Sequence, residues 1–450
     1  MYLPDAVVWI LNTLQENDYE AYVVGGCVRD LLLNQSPSDY DITTSATPEE
    51  VKAVFSKHHV IETGIQHGTV TLVLDHIPYE VTTFRVESGY SDARHPDQVA
   101  FTRKLEDDLS RRDFTVNAMA MSKNGEIVDL FGGQNDLKRG VLRCVGDPHE
   151  RFSEDALRIL RLIRFASVLD FDIEEETERA AFSLCKTLEK VSVERIAVEL
   201  NKLLVGKGVF RVLTWYIDII GAVIPELLPM KGFDQKNYHH CYDILTHTAK
   251  AVEAVSPKTH LRLAALFHDI GKPSTFSIGE DGVGHFYTHP SVSRDLTLQI
   301  LERLKYDNKT KDTVSRLVKW HDQVIEPDER AIKRMLSKMT PDFYFDLIAL
   351  KRADNLAQHP DYHIRQGYYD TLEELAKSIL ARQECLSLKD LAIKGDDLIA
   401  LGIKPGKVFG EALNAVLSAV LQDQLPNEKA AQMKFVQNFI KNRGNENGTC

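Results

Sequence analysis

The feature that most restricts the fold is a change of hydrophobic period part-way along the chain. Before about residue 130, short β-branched runs recur: AYVVGGCV (21–28), TVTLVL (69–74) and YEVTTFR (79–85), with DHIP (75–78) as a turn between the last two. From about residue 150, apolar positions recur at helical spacing. In SEDALRILRLIRFASVL a serine N-cap and first-turn acids precede apolar residues at 157, 160, 163 and 165, which predicts one continuous helix. The two regimes predict an α+β chain: an N-terminal α/β head with a mixed sheet, followed by an all-helical neck, body and tail. Interruptions rich in Pro and Gly near 205–208, 225–232, 256–257, 273–290 and 402–406 place the expected divisions at 1–140, 141–207, 208–380 and 381–450.

Composition excludes several classes. No run of 18 apolar residues offers a membrane span, and the N-terminus carries acids early, as an amphipathic helix does and a signal peptide does not. Six scattered cysteines without a CxxC pair suit a reducing cytoplasm. A net charge of −12 opposes broad nucleic-acid binding, so any RNA contact has to use local basic patches, and DNA is not an expected partner.

Within the head, Asp39 and Asp41 flank one tyrosine. On a strand such residues project to one face, and two converging carboxylates need a cation or a proton between them. Hard oxygen ligands suit Mg²⁺ bound together with substrate phosphates. The pair follows Gly25-Gly26, which joins the strand YVV to an apparent helix, VRDLLL, and lets backbone N–H groups approach a triphosphate. Arg29 either contacts phosphate or locks Asp30, and Glu80 on the strand YEVTTFR is a candidate third carboxylate. Thr47-Pro48-Glu49-Glu50 predicts a capping box.

In this order GGCVRD, DYDITTSATPEEV, EVTTFR, RRDFTVNAMA, DLFGGQNDLKRGVLR, SEDALRILRLIRFA and VSVERIAVEL resemble the class II nucleotidyltransferases, which include tRNA CCA-adding enzymes and bacterial poly(A) polymerases. The resemblance runs over roughly residues 20–205 and implies a polymerase-β-like head. It implies that Asp39 and Asp41 hold two Mg²⁺ ions, with Glu80 completing the catalytic carboxylates, and that Gly25, Gly26 and Arg29 cradle the triphosphate. It further implies that Arg111, Arg112, Asp113 and Asn117 hold the ribose and phosphates of the nucleotide. Glu154, Asp155 and Arg158 match the protein template that pairs with the base edge, and Arg161 is grouped with the nucleotide-binding residues. A carboxylate accepts from an exocyclic amine and a guanidinium donates to a ring nitrogen or carbonyl, so an Asp155–Arg158 pair at i and i+3 of one helix suits C and A.

Poly(A)-type members carry an arginine-rich segment upstream of the third strand, where this chain reads ETGIQHGTVTLVL. FRVESGYSDARHPDQVAF (84–101) matches the flexible loop of full CCA-adding members, with Arg85, Asp92 and Arg94 as its functional residues. The implied reaction is addition of C, C and A to tRNA from CTP and ATP. The alternatives are a poly(A) polymerase, or a partial CC- or A-adding enzyme.

The body holds a second series: His247 in ILTHT, His268-Asp269 in LAALFHDIGK, then His289, His321 and Asp354. Adjacent histidine and carboxylate can bind a bridging pair of metals, and the series resembles an HD-type phosphohydrolase domain. Its donors suit Mn²⁺, Ni²⁺ or Zn²⁺ as well as Mg²⁺. Expected substrates are 2′,3′-cyclic or terminal phosphates. A hydrolase whose head only binds RNA is the alternative from another class. The tail, with Gly402, Lys404, Gly406, Lys407 and Gly410, resembles the tRNA-binding tail of CCA-adding enzymes, and the terminal NRGNENGTC reads as disordered.

Overall fold

The computed structural model describes residues 2–88 and 98–446. They fall into two compact units, Met1–Pro229 with Ile300–Tyr306, and Met230–Gln299 with Asp307–Cys450.

The first unit opens with α1 (Asp5–Glu16), whose Val7, Ile10, Leu11 and Leu14 are buried at helical spacing. Strand β1 (Ala21–Val24) follows. The strand ends at Val24, as the reading of Gly25-Gly26 as a junction expects: Gly25 adopts φ +77° and Gly26 starts α2 (Gly26–Leu32). β2 (Asp41–Thr44) and α3 (Pro48–Val54) come next, and the predicted capping box is present in full. Glu50 N donates to Thr47 Oγ1 at 3.4 Å and Thr47 N donates to Glu50 Oε2 at 2.7 Å.

β3 (His59–Ile61), β4 (Thr69–Leu74) and β5 (Ile77–Thr83) then form a meander. Leu74 pairs with Ile77, so the turn is the two residues Asp75 and His76, both at positive φ. That is the hairpin geometry matching the strand twist. β6 (Arg85–Ser88) pairs with β7 (Gln98–Phe101) as a separate ribbon. α4 (Leu105–Ser110), β8 (Met119–Met121) and β9 (Ile127–Asp129) complete the head. The described strands form a seven-stranded mixed sheet in the order β3-β4-β5-β2-β1-β8-β9, in which β2 and β5 run parallel. That pairing sets Ile42 opposite Val81, so Asp41, at the start of β2, stands beside Glu80, in the middle of β5.

The rest of the first unit is mainly helical: α5 (Gly133–Arg139), α6 (Pro148–Glu154), α7 (Leu157–Leu169), α8 (Glu175–Leu184), α9 (Val193–Leu204), α10 (Val209–Trp215) and α11 (Ile217–Gly221), with a short parallel pair, β10 (Val141–Leu142) and β11 (Asp172–Ile173). The single helix expected from residue 154 onward is corrected. α6 ends at Glu154, Asp155 is extended at φ −138° and ψ 103°, and α7 begins at Leu157. The Asp155 carboxylate causes the break locally by accepting a hydrogen bond from Leu157 N at 3.0 Å, which competes with a continuous helical turn.

The second unit contains α12 (Ile244–Ala254), α13 (Thr259–Phe267), α14 (Lys272–Thr275), the hairpin β12 (Ser277–Ile278) and β13 (Gly284–His285), then α15 (His289–Arg303), whose last residues belong to the first unit. α16 (Asn308–Trp320), α17 (Glu329–Lys338), α18 (Pro341–Leu356) and α19 (Gln366–Ala381) follow. α12, α13, α16 and α18 pack on one another around buried Leu245, Leu263, Leu317 and Ile348. α20 (Gly395–Ala400), α21 (Lys407–Leu421) and α22 (Lys429–Glu446) share a small core of Leu391, Leu398, Val416 and Val436. The disorder expected from residue 442 is corrected as far as Glu446, because α22 continues to that residue.

Candidate active sites

In the head, Gly25, Asp41 and Arg112 converge on one point. A side chain at residue 25 would place its Cβ 3.1 Å from Arg112 Nη1 and 4.0 Å from Asp41 Oδ2, and the positive φ independently demands glycine. Gly25 N–H donates to Met119 O at 3.3 Å, and the residue permits close backbone approach. Burial of its carboxyl, with neighbouring Asp39, pushes Asp41 above the usual carboxylate range, Arg112 opposes this, and Glu80 adds to it. Among the described residues neither Asp39 nor Asp41 makes an ion pair. An acidic cluster whose Asp41 has raised proton affinity, with open oxygen donors, fits divalent cations.

The arginines around this point are held by buried acids. Asp108, fully buried on α4, accepts from Arg111 Nη2 at 2.6 Å through Oδ1 and from Arg112 Nη2 at 3.2 Å through Oδ2. Arg112 Nε is buried without a hydrogen-bond partner, a donor left for a ligand. Sequence reasoning missed Asp108, although acids three and four residues before Arg111 and Arg112 were a signal for it. Arg29 takes the second of its two expected roles: Nε donates to Asp30 Oδ1 at 2.8 Å, while Nη1 donates to Asn117 Oδ1 at 2.7 Å. Asp113 accepts from Asn117 Nδ2 at 3.2 Å and from Arg161 Nε and Nη2 at 2.8 and 2.6 Å. Burial disfavours its charge, but Arg161 overcomes this and holds Asp113 at about 2. Asp113 and Arg161 therefore tie the arginine motif to α7.

The residues expected to form the template, Glu154, Asp155 and Arg158, lie around the break between α6 and α7. Asp155 Oδ2 accepts from Arg195 Nη2 at 2.7 Å, whereas Arg158 pairs with Glu154 and donates to Arg111 O at 3.0 Å. Asp155 thus lies just outside the helix that carries Arg158, not one turn along it as expected. Arg195 is a second residue missed: it lies 40 positions away, and no local spacing announces it. Arg85 lies on β6 and pairs with Glu87. Asp92 and Arg94 lie outside the described residues.

The body series comes together. His247, His268 and Asp354 form one group and Asp269, His289 and His321 another, the ligand atoms of each lying within 4.8 Å of one another. Asp269 spans both. Its Oδ2 is 3.4 and 3.2 Å from Nε2 of His247 and His268, and its Oδ1 is 3.4 and 3.7 Å from Nε2 of His289 and His321. Metal–ligand bonds of about 2.0–2.2 Å in tetrahedral or octahedral array put ligands about 3.0–3.5 Å apart. All four imidazoles present Nε2 inward because Nδ1 donates outward to a backbone carbonyl: Ala357, Ala265, Phe286 and Val318 for His247, His268, His289 and His321. That is the outer-shell arrangement that fixes a metal-binding tautomer.

The electrostatics agree. Burial opposes charge on His268, yet Asp269 and Asp354 raise it to about 10, and both carboxyls are held well below the usual range. Asp269 Oδ2 accepts no hydrogen bond, although Lys272 Nζ stands in ionic contact at 2.7 Å. The donor set demands positive charge and fits two cations. Lys272, which lines this site and donates to Gln235 Oε1 at 2.9 Å, was not foreseen.

Comparison with known proteins bears on the whole chain. The Poly A polymerase head domain matches residues 21–143, the probable RNA and SrmB-binding site of polymerase A matches 170–214, and the putative tRNA nucleotidyltransferase domain 2 matches 286–436. The CCA-adding enzyme of Limosilactobacillus reuteri (strain DSM 20016) is 36% identical over 437 residues, covering 96% of this chain and 96% of that one. The chain belongs to the CCA-adding enzyme family. The CCA-adding enzyme of Lactiplantibacillus plantarum is 37% identical, covering 95% of this chain and 94% of its own. The crystal structure of the Bacillus stearothermophilus CCA-adding enzyme in complex with CTP matches with a TM-score of 0.72 and 30% identity over 99% and 100% of the two chains. The expected family, fold class and nucleotidyltransferase activity are borne out, and the family depends on divalent metal. Among the described residues no helix is long and apolar enough to cross a membrane.

Proposed function

We propose that this chain builds and repairs the 3′-terminal CCA of tRNA in the cytoplasm, from CTP and ATP and without a nucleic-acid template. The observation that carries this is the convergence of Gly25, Asp41 and Arg112 beside Asp39 and Glu80, in a chain similar along its length to CCA-adding enzymes. The RNA 3′-hydroxyl gives up its proton to solvent as its oxygen bonds to the α-phosphorus, the bond from the α-phosphorus to the α–β bridging oxygen breaks, and pyrophosphate leaves with the electron pair. Asp39 and Asp41 would hold Mg²⁺, which lowers the pKa of the attacking hydroxyl and neutralises the leaving charge. Arg112 Nε donates to the triphosphate, and Arg111 is oriented by Asp108 for the same charge. Glu154 holds Arg158 and Arg195 holds Asp155, which fixes the carboxylate and guanidinium that read the base edge. Arg85, Asp92 and Arg94 belong to the loop that switches this reading from C to A. The divisions 1–140, 141–207, 208–380 and 381–450 act as head, neck, body and tail, the tail binding tRNA.

The test is incubation with tRNA lacking its tail and with each nucleotide alone and together. CTP alone should add two residues, and both nucleotides should restore CCA. Long A-runs from ATP without use of CTP would sink the reading.

A second activity is favoured by the four outward Nδ1 bonds in the body. Asp269, Asp354 and the four histidines would hold two transition-metal ions, which supply a hydroxide nucleophile for hydrolysis of 2′,3′-cyclic or terminal phosphates. Purified protein should carry Ni²⁺, Mn²⁺ or Zn²⁺. If it carries none and His268→Ala changes no phosphohydrolase assay, this activity is absent.

A further inference from the structure

Two clefts open onto the histidine–aspartate cluster of the body, and together they narrow what reaches it. The first, about 320 Å³, is lined by His240, Lys272, His285 and Tyr287, and the second, about 470 Å³, by Arg365 and Tyr368. They share His321, Asp322, Asp354 and Gln358, so both end at the cluster. Tyr287 is 70% exposed, with its ring stacked on His285 at 5.3 Å and 12°.

We propose that the first cleft is a nucleoside subsite: a base stacks on the open face of Tyr287 while its phosphate lies at the cluster. The second cleft takes the preceding phosphate of an RNA chain at Arg365, so the substrate is the terminal nucleotide of a single strand. The platform is rigid. Gly284 N donates to Lys236 O at 2.8 Å, Asn237 Nδ2 donates to Gly284 O at 3.2 Å, and a Cβ at Gly284 would stand 2.1 Å from Gln235 O. Only glycine lets the hairpin sit this close. Tyr287 precedes the ligand His289 by two residues, so platform and cluster are joined by a short segment. A cleft of this volume admits one nucleotide and not a duplex. Stacking on an aromatic side chain is tolerant of base identity, as an RNA-end site serving any 3′ residue requires. Among the described residues Arg365 forms no ion pair, and its guanidinium lies 5.5 Å from the centroid of the Tyr362 ring. The placing of the phosphate rests on the phosphohydrolase reading, whereas the stacking does not.

The experiment is calorimetric binding of adenosine 3′-monophosphate and of ribose 5-phosphate to full-length, metal-loaded protein, with metal content read by mass spectrometry. Tyr287→Leu should weaken adenosine 3′-monophosphate about tenfold or more and leave ribose 5-phosphate binding and metal content as in wild type. Tyr287→Phe, which keeps the ring, should bind like wild type. Equal binding of the nucleotide by the Leu and Phe variants, with metal intact, would overturn the subsite. Failure of wild type to hydrolyse adenosine 2′,3′-cyclic monophosphate, with Tyr287-dependent binding preserved, would sink the phosphohydrolase reading and support the nucleoside subsite.

Discussion

The acidic site of the head and the histidine–aspartate site of the body are built on opposite principles. In the head, Asp39 just before β2, Asp41 at its start and Glu80 on β5 offer hard oxygens, and the nearby cations are arginines anchored on buried acids such as Asp108. In the body, four imidazoles are aimed by backbone carbonyls and meet a carboxylate that spans two groups. The difference is one of completeness. The body supplies enough ligands to hold ions by itself, whereas the head leaves positions for phosphate oxygens of the substrate. A polymerising site must release pyrophosphate and reload at every step, which suits ions that arrive with the nucleotide. A hydrolytic site gains from ions that stay.

The sharpest attempt to break this contrast is Asp108→Ala, which strands the buried side of Arg111 and Arg112. Removing one member of a buried ion network costs about 3–5 kcal/mol. Denaturation should show that loss in the first unit, with a raised KM for nucleotide, while body metal content stays constant. Next comes acid. Asp113 is held at about 2 against an ordinary value of 3.8, so its contribution is complete above about pH 4 and is lost as pH falls towards 2. Arg161→Met should remove on the order of 2 kcal/mol at pH 7, and the gap between variant and wild type should narrow on acidification through that window. Smallest is Thr47→Ala, which deletes the cap of α3 and should cost about 1 kcal/mol of stability without moving either activity.

Local chemistry was legible and long-range chemistry was not. The TVTLVL strand and the Thr47–Glu50 box follow from neighbouring residues alone. Even the outward bonds of His268 and His321 are local, since each Nδ1 meets the carbonyl three residues back at a helix end. The break at Asp155 was missed because an amphipathic run conceals it, and what holds it open includes Arg195, 40 positions on. The Asp113–Arg161 clamp, 48 positions apart, was hidden likewise: RRDFTVN reads as a ligand-binding motif, yet its aspartate is tied to α7. Asp41 and Glu80 were named separately, but only the parallel pairing of β2 with β5 makes them neighbours.

The most direct measurement of the two-site account is a reciprocal pair of variants assayed for both activities and for bound metal. Asp41→Ala should lower nucleotide incorporation about a thousandfold or more while keeping the body's metal and phosphate hydrolysis. His268→Ala should lose that metal and hydrolysis while still restoring CCA to truncated tRNA. Loss of both activities from either single variant, with the protein folded, would contradict the account.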